Sequence, residues 1–492
     1  NFALVRWADG RVQALDGRER APALARPDMY LQDGQANSDL SRTGALAVGV
    51  PGSLLVYDHL LRKGGTKTLA PLLRDAADLA EAGFPLNQIS VDRMRMAATK
   101  IRQFPATAAA LLDLYGQPWP VGHVFRQPDL AATYRAIAEH GVDWFYLGDY
   151  AKAVDAWMRA NGGLLRAQDF ADYHMALRQP LVTEYRGYTV YGFPPPSSGG
   201  LHVAQMLTML EDFDVAGLDA ADRAMLLAEV MKRAFADRAH WLGDPDFSPV
   251  PLGLVDAGYL QQRAATIDLA RASTDIEPGQ PPKADSELFR AIQGTHTTHI
   301  AAADARGNWV AITTTVNTSW GSGVMIPGTG LILNNQMDDF SIQPGVPNAF
   351  GLVGSEANNV QPGKRPLSSM SPTIVLKDDK PVLTLGAAGG PTIISQVVQA
   401  LVNVLDLGMD AEAALAAPRL HHQWRPPLLF VDPALDPAIR EALVARGQTV
   451  KNAPFSGSSQ MIRVNAAGDF EAASEPRIIR RNQQGPGEGQ YP

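Results

Sequence analysis

Between residues 67 and 82 the apolar side chains fall at Leu69, Leu72, Leu73, Ala76, Ala77 and Leu79. That i, i+3, i+4 spacing predicts a helix with one buried face. The same period recurs at 129–139, 150–160, 201–213 and 220–238, so the first 290 or so residues read as mostly helical. A short strand pair is predicted near 3–6 and 11–15, and the Val-, Tyr- and Thr-rich stretch 182–191 predicts a further strand. This last strand runs into Pro194-Pro195-Pro196-Ser197-Ser198-Gly199-Gly200, a rigid bend whose glycine pair allows close backbone approach.

Periodicity lapses between 274 and 294, where Asp275, Glu277, Pro278, Pro281, Pro282, Lys283 and Asp285 mark an exposed linker. From His299 the texture changes. Strands are predicted at 299–303, 309–316, 330–333, 373–376 and 382–385, with helices at 393–405 and 437–446. No internal repeat interrupts the series.

Composition narrows the function classes. The chain has 492 residues, and 43 basic against 51 acidic side chains leave a net charge of −8 without long runs of either sign, which makes nucleic acid and anionic membranes poor partners. The absence of cysteine removes disulfides, thiolate metal sites and a cysteine nucleophile together. The long uncharged stretch 381–405 contains Gly389-Gly390-Pro391 among Thr, Ser, Gln and Asn, so no membrane span is expected there. The opening Asn1-Phe2-Ala3-Leu4-Val5 has neither an initiator Met nor a targeting pattern and reads as starting inside a strand, with an upstream piece removed.

Common catalytic signatures are absent: no G-x-S-x-G, Walker A sequence, H-E-x-x-H or helix-opening G-x-G-x-x-G occurs. His296 and His299 lie three apart without a nearby carboxylate to complete a metal set, so no metal or other cofactor is expected. Thr297 is of more interest, because it stands where the linker meets a strand. A cut before it would free an α-amine beside its own hydroxyl, joining nucleophile and general base in one residue. By residue type alone, a Thr-rich strand start is ordinary β-propensity. Arg18 and Asp339 read as surface salt-bridging residues, and Ser368-Ser369 as a turn or cap.

Resemblance changes the weight of these readings. Thr297-Thr298-His299, Asp304-Ala305-Arg306-Gly307-Asn308, Thr315-Val316-Asn317-Thr318 and Leu333-Asn334-Asn335-Gln336-Met337-Asp338-Asp339-Phe340 resemble the small subunit of gamma-glutamyltranspeptidases. Lys364-Arg365-Pro366-Leu367-Ser368-Ser369-Met370-Ser371-Pro372, Gly386-Ala387-Ala388-Gly389-Gly390 and Pro418-Arg419 follow in the family's order. Asp16-Gly17-Arg18-Glu19, the 194–200 run and Gly243-Asp244-Pro245 extend the likeness through the first part of the chain.

The resemblance implies an α+β fold, the four-layer αββα sandwich of N-terminal nucleophile hydrolases. It implies autocleavage after His296, giving a large part, 1–296, and a small part, 297–492, that together form one domain. Thr297 would be the nucleophile, Thr315 on its strand would hydrogen-bond the Thr297 hydroxyl, and Gly389 and Gly390 would present N–H groups to the oxyanion. Arg18, Ser368 and Ser369 would bind the α-carboxylate of a γ-glutamyl group, and Asn317, Gln336 and Asp339 its α-ammonium. Glutathione or a related γ-glutamyl compound would be the donor, water or an amino acid the acceptor, and the periplasm or exterior the location. Three alternatives share the motifs: a glutaryl or cephalosporin acylase, a γ-polyglutamate hydrolase, and an uncleaved relative that only binds. The sequence departs from many bacterial members in the lid-like loop 341–352, where Phe350 replaces the usual tyrosine and a looser lid is expected.

Overall fold

The strand Phe2–Arg6 divides its side chains between two cores, because successive strand residues point to opposite faces. Phe2 and Leu4 enter a layer with Phe193, Trp309, Met370 and Ile374, whereas Ala3 and Val5 join Leu15, Val56 and Ile312 behind it. The same division appears in Thr373–Lys377, whose Ile374 and Leu376 face the first layer while Val375 faces a helix-covered core. Each strand is therefore covered on both faces. The computed structural model describes residues 1–282, 298–452 and 457–483.

Two antiparallel sheets carry these strands. The first runs Thr298–Ala303, Trp309–Thr314, Phe2–Arg6, Val12–Asp16, Ala176–Arg178. The second runs Phe470–Ser474, Ser458–Val464, Lys380–Ala388, Thr373–Lys377, Tyr188–Gly192, Leu181–Tyr185. Helices Ser198–Leu210 and Thr392–Leu405 pack on the outer face of the second sheet, Ala220–Trp241 packs against Ser198–Leu210, and Ser53–Gly64 packs on the first sheet through Val56. The architecture is the αββα sandwich.

Several predicted elements shift. The stretch 182–191 is a hairpin, Leu181–Tyr185 and Tyr188–Gly192, turning at Arg186-Gly187; β-formers on both sides conceal the turn. No strand forms at 330–333, where the bridge between Met325 and Ile332 stands alone because no ladder continues it. The helix predicted at 201–213 begins at Ser198, since the Ser197 hydroxyl accepts from the Gly199 N–H at 3.1 Å. Gly199 is needed at that bend: a Cβ there would lie 2.3 Å from the Met370 carbonyl oxygen. The strand predicted at 309–316 ends at Thr314, so Thr315 lies just beyond it. Within the predicted linker, residues 274–282 form no regular element.

Candidate active site

The strand Thr298–Ala303 enters the first sheet with Thr298 opposite Thr314. Two side chains orient the segment that follows Thr314. The Thr315 hydroxyl accepts from the Asn317 N–H at 2.9 Å, and Asn317 Nδ2 donates to the Asn335 carbonyl at 2.8 Å. Asn317 has φ +78°, an uncommon conformation for a residue with a Cβ, so these bonds hold a strained turn. They tie the strand end to the 3-10 turn Gln336–Asp339, which is buried throughout.

That turn meets the loop after Val12–Asp16. Arg18 is fully buried; its Nη2 donates to Asp339 Oδ2 at 2.8 Å and its Nη1 to Glu19 Oε2 at 3.1 Å. Gln336 Nε2 also donates to Glu19 Oε2, at 3.1 Å. The expected surface salt bridge is thus an interior one, and Arg18 and Asp339, assigned by the resemblance to opposite ends of a ligand, pair directly. Burial of two charges is tolerated because each has an opposite charge at hydrogen-bond distance.

A second cation, Arg238 of helix Ala220–Trp241, lies near enough for the Asp339 charge to act on it. Burial lowers the Arg238 guanidinium to about 10, with the charge of Asp339 acting in the other direction. Arg238 Nη2 donates to the Ser369 hydroxyl at 3.3 Å and its Nε to the Ser198 hydroxyl at 3.0 Å. Ser369 retains its own O–H for another acceptor, since the bond from Arg238 uses only a lone pair. Ser368 turns back on its chain, accepting from the Met370 N–H at 2.9 Å. Among the described residues, Arg18 Nε, Asn317 Oδ1 and Gln336 Oε1 are buried without a hydrogen-bond partner.

The glycine pair stands at the end of strand Lys380–Ala388, with φ +135° at Gly389 and +60° at Gly390. Both values favour glycine. Three residues earlier on the same strand, Gly386 lies under the His299 ring, where a Cβ would come within 2.3 Å of Cε1. This contact joins the glycine turn to the beginning of the Thr298–Ala303 strand. Burial lowers His299 to about 3, so the ring is neutral near pH 7, and its Nδ1 lies 3.0 Å from the Thr313 hydroxyl.

Phe350 belongs to a half-buried loop fixed by its backbone. The Ala349 N–H donates to Asp338 Oδ2 at 3.1 Å, the Phe350 N–H to Asn348 Oδ1 at 3.0 Å, and Gln423 Nε2 to the Phe350 carbonyl at 3.2 Å. The loop therefore has ties independent of a tyrosine hydroxyl. His296 and Thr297 lie outside the described residues. Among the described residues, no group of three His, Asp or Glu could hold a metal ion, and no helix is long and apolar enough to cross a membrane.

A family model described as Gamma-glutamyltranspeptidase matches residues 1–484. The chain belongs to the gamma-glutamyltranspeptidase family. It is 42% identical over 484 residues to the glutathione hydrolase proenzyme of Escherichia coli (strain K12), covering 97% of this chain and 82% of that relative. It is 37% identical over 481 residues to the acylase ACY 1 proenzyme of Pseudomonas sp. (strain SE83), covering 96% and 82% respectively. Among solved structures, a cephalosporin acylase from Bacillus halodurans superposes with a TM-score of 0.84 at 28% identity, covering 97% of this chain and 85% of that one.

For a chain of the gamma-glutamyltranspeptidase family, two members of the charged cluster escaped the sequence reading. Glu19 has no assigned role within Asp16-Gly17-Arg18-Glu19, although its place beside Arg18 is a usable signal. Arg238 carried none, because a helix of amphipathic pattern gives no sign that one arginine points inward.

Proposed function

We propose that the protein is a γ-glutamyltransferase and glutathione hydrolase whose nucleophile is Thr297. The observation that carries this reading is the set of buried, unsatisfied polar atoms around the Arg18–Asp339 pair. A γ-glutamyl group presents an α-ammonium and an α-carboxylate together. Asn317 Oδ1, Gln336 Oε1 and the Asp339 carboxylate suit the first; Arg18, the Ser369 hydroxyl and, as a lesser contributor, Ser368 suit the second. A glutaryl donor, which lacks the ammonium, would leave Asn317 Oδ1 and Gln336 Oε1 without a partner, and buried polar atoms without partners cost about 1–3 kcal/mol each.

The reaction follows from an N-terminal threonine. Cleavage between His296 and Thr297 divides the chain into a large part, 1–296, and a small part, 297–492. The freed α-amine takes the Thr297 hydroxyl proton as Oγ attacks the γ-carbonyl, and Thr315 supports that hydroxyl. Gly389 and Gly390 N–H groups stabilise the tetrahedral oxyanion. Its collapse expels the amine, which for glutathione is cysteinylglycine, carrying the proton away. The γ-glutamyl ester on Thr297 then passes to water or to an amino acid. The periplasmic or extracellular location rests on the family alone.

A glutaryl-type acylase is the second reading, favoured by the similarity to acylases and by Phe350 in the lid. Two measurements test the choice. Glutamate release and transfer product should appear from glutathione and from a γ-glutamyl anilide. Thr297→Ala should give one uncut chain on a denaturing gel and no turnover; cut, active Thr297→Ala protein would remove Thr297 from its role.

A further inference from the structure

The two glycine N–H groups assigned to the oxyanion belong to consecutive peptide units that two side chains of one helix hold from behind. Gln396 Nε2 donates to the Ala388 carbonyl at 3.0 Å. The Thr392 hydroxyl donates to the Gly389 carbonyl at 2.7 Å. In a planar trans peptide the N–H points opposite to the C=O. Fixing the Ala388 carbonyl therefore fixes the Gly389 N–H, and fixing the Gly389 carbonyl fixes the Gly390 N–H. We infer that Thr392 and Gln396 are positioning residues that aim both oxyanion donors, an inference that rests on the proposed role of Gly389 and Gly390.

The two clamps are coupled. Thr392 and Gln396 stand one turn apart on helix Thr392–Leu405, and Gln396 Nε2 also donates to the Thr392 hydroxyl at 3.0 Å. The orientation of the Gln396 amide follows from chemistry. Its Oε1 receives Arg419 Nη1 at 3.0 Å and the Ser459 hydroxyl at 3.0 Å, and a guanidinium can only donate. The NH2 end must then face the Ala388 carbonyl. Arg419 is itself anchored by Glu475 at 2.9 Å; Gln396, Arg419, Ser459 and Glu475 are buried and Thr392 is half-buried.

Glycines that supply conformational freedom at Gly389 and Gly390 also remove rigidity, so direction has to come from neighbours. Packing shows how closely those neighbours fit. A Cβ on Gly389 would lie 2.6 Å from the Thr392 hydroxyl and 3.0 Å from Gln396 Nε2; one on Gly457 would lie 2.4 Å from Gln396 Nε2. Hydrogen bonds to the two carbonyls also polarise each peptide, which strengthens the N–H at its other end. Among the described residues, no hydrogen bond from the Gly389 or Gly390 N–H is present.

The test compares Thr392→Val, which keeps shape and loses the hydroxyl, with Thr392→Ser, which keeps the hydroxyl, and adds Gln396→Met. Thr392→Val and Gln396→Met should lower kcat about 10- to 100-fold, at or below the loss from deleting an oxyanion donor, with KM changed less than about twofold. Affinity for a γ-boronate analogue of glutamate, which mimics the tetrahedral adduct, should fall by the same factor, and affinity for glutamate should hold. Thr392→Ser should remain near the parent in all three. Equal loss in Thr392→Val and Thr392→Ser, or loss of glutamate and boronate affinity together, would mean general packing and overturn the inference. If Gln396→Met does not fold, the Thr392 pair decides. Gly389→Ala separates the two levels: unchanged boronate affinity there removes the oxyanion assignment itself. Loss there with parent-like Thr392→Val and Gln396→Met removes only the positioning role.

Discussion

The charged cluster around Arg18 and the turn at Gly389-Gly390 solve different problems with different materials. In the first, charged side chains carry the proposed recognition: Arg18, Glu19 and Asp339 are buried and hydrogen-bonded together, Arg238 acts on Asp339 through its charge, and a zwitterionic ligand would share that network. In the second, the proposed donors are backbone N–H groups with no charge, and the Thr392 and Gln396 side chains bond the carbonyls behind them. Charges confer selectivity because a mismatched ligand leaves one of them unpaired. Backbone dipoles confer rate, provided they do not move when the reaction begins.

The largest effect expected on this contrast comes from Asp339→Asn. Removing a buried carboxylate from its pair should lower kcat/KM for a γ-glutamyl anilide by about 100-fold or more, on the scale of a few kcal/mol. The matched glutaryl anilide, which lacks the ammonium, should improve relative to it. A parent protein that already prefers the glutaryl compound, or a variant with unchanged preference, would replace the transferase reading with the acylase one. Arg18→Lys should follow in size, raising KM for glutathione by about tenfold while cleavage before Thr297 proceeds, because the charge stays and the guanidinium fork is lost. A donor without the α-carboxylate should be nearly indifferent to that change. Equal losses with both donors would make Arg18 a support of the fold.

The neutral side of the site can be sharpened by acid titration. His299 beneath the glycine strand has a folded pKa of about 3, below the unfolded value of 6.5. Below pH 6.5 the unfolded chain binds the extra proton. Its stabilising contribution is therefore full above pH 6.5 and is lost as pH falls toward 3, by up to about 1.4 kcal/mol per pH unit. Stability measured from pH 6.5 to 4 should fall less steeply in His299→Gln, by about one proton. An unchanged slope would mean that His299 is not kept neutral. Phe350→Tyr should give the smallest change, less than about threefold in KM, because Asp338, Asn348 and Gln423 already hold the loop by its backbone. A larger drop in KM would show that the lid is loose in the parent and that the hydroxyl alone closes it.

Much of this was legible along the chain. Apolar spacing predicted the helices that became Leu69–Ala82, Pro128–His140, Asp149–Ala160 and Ala220–Trp241, and the short strand pair expected near 3–6 and 11–15 became Phe2–Arg6 and Val12–Asp16. The ordered motifs from Arg18 to Arg419 pointed to the family and to most of the residues in the charged cluster. Periodicity is a local property, however, and it reports that a face is buried without saying against what. The hairpin at Arg186-Gly187 and the strand Ser458–Val464 were missed for that reason: the first hides in continuous β-formers, and the second is defined by its partner Lys380–Ala388.

Only the tertiary structure decided which polar groups share an interior. Arg18 and Asp339 are 321 positions apart, and no spacing rule connects them. Arg238 turns inward from a helix, and Gln396 reaches the back of the Ala388 carbonyl while Arg419 fixes which way its amide faces. The sequence by itself determined the family, through its ordered motifs, and with it the candidates for recognition and attack; side-chain type and local pattern alone read Thr297 as ordinary β-propensity and Arg18 and Asp339 as surface charges. Their pairing, burial and direction depended on how two sheets and their helices stack, because hydrogen bonds between distant residues are satisfied only after the chain has closed around them.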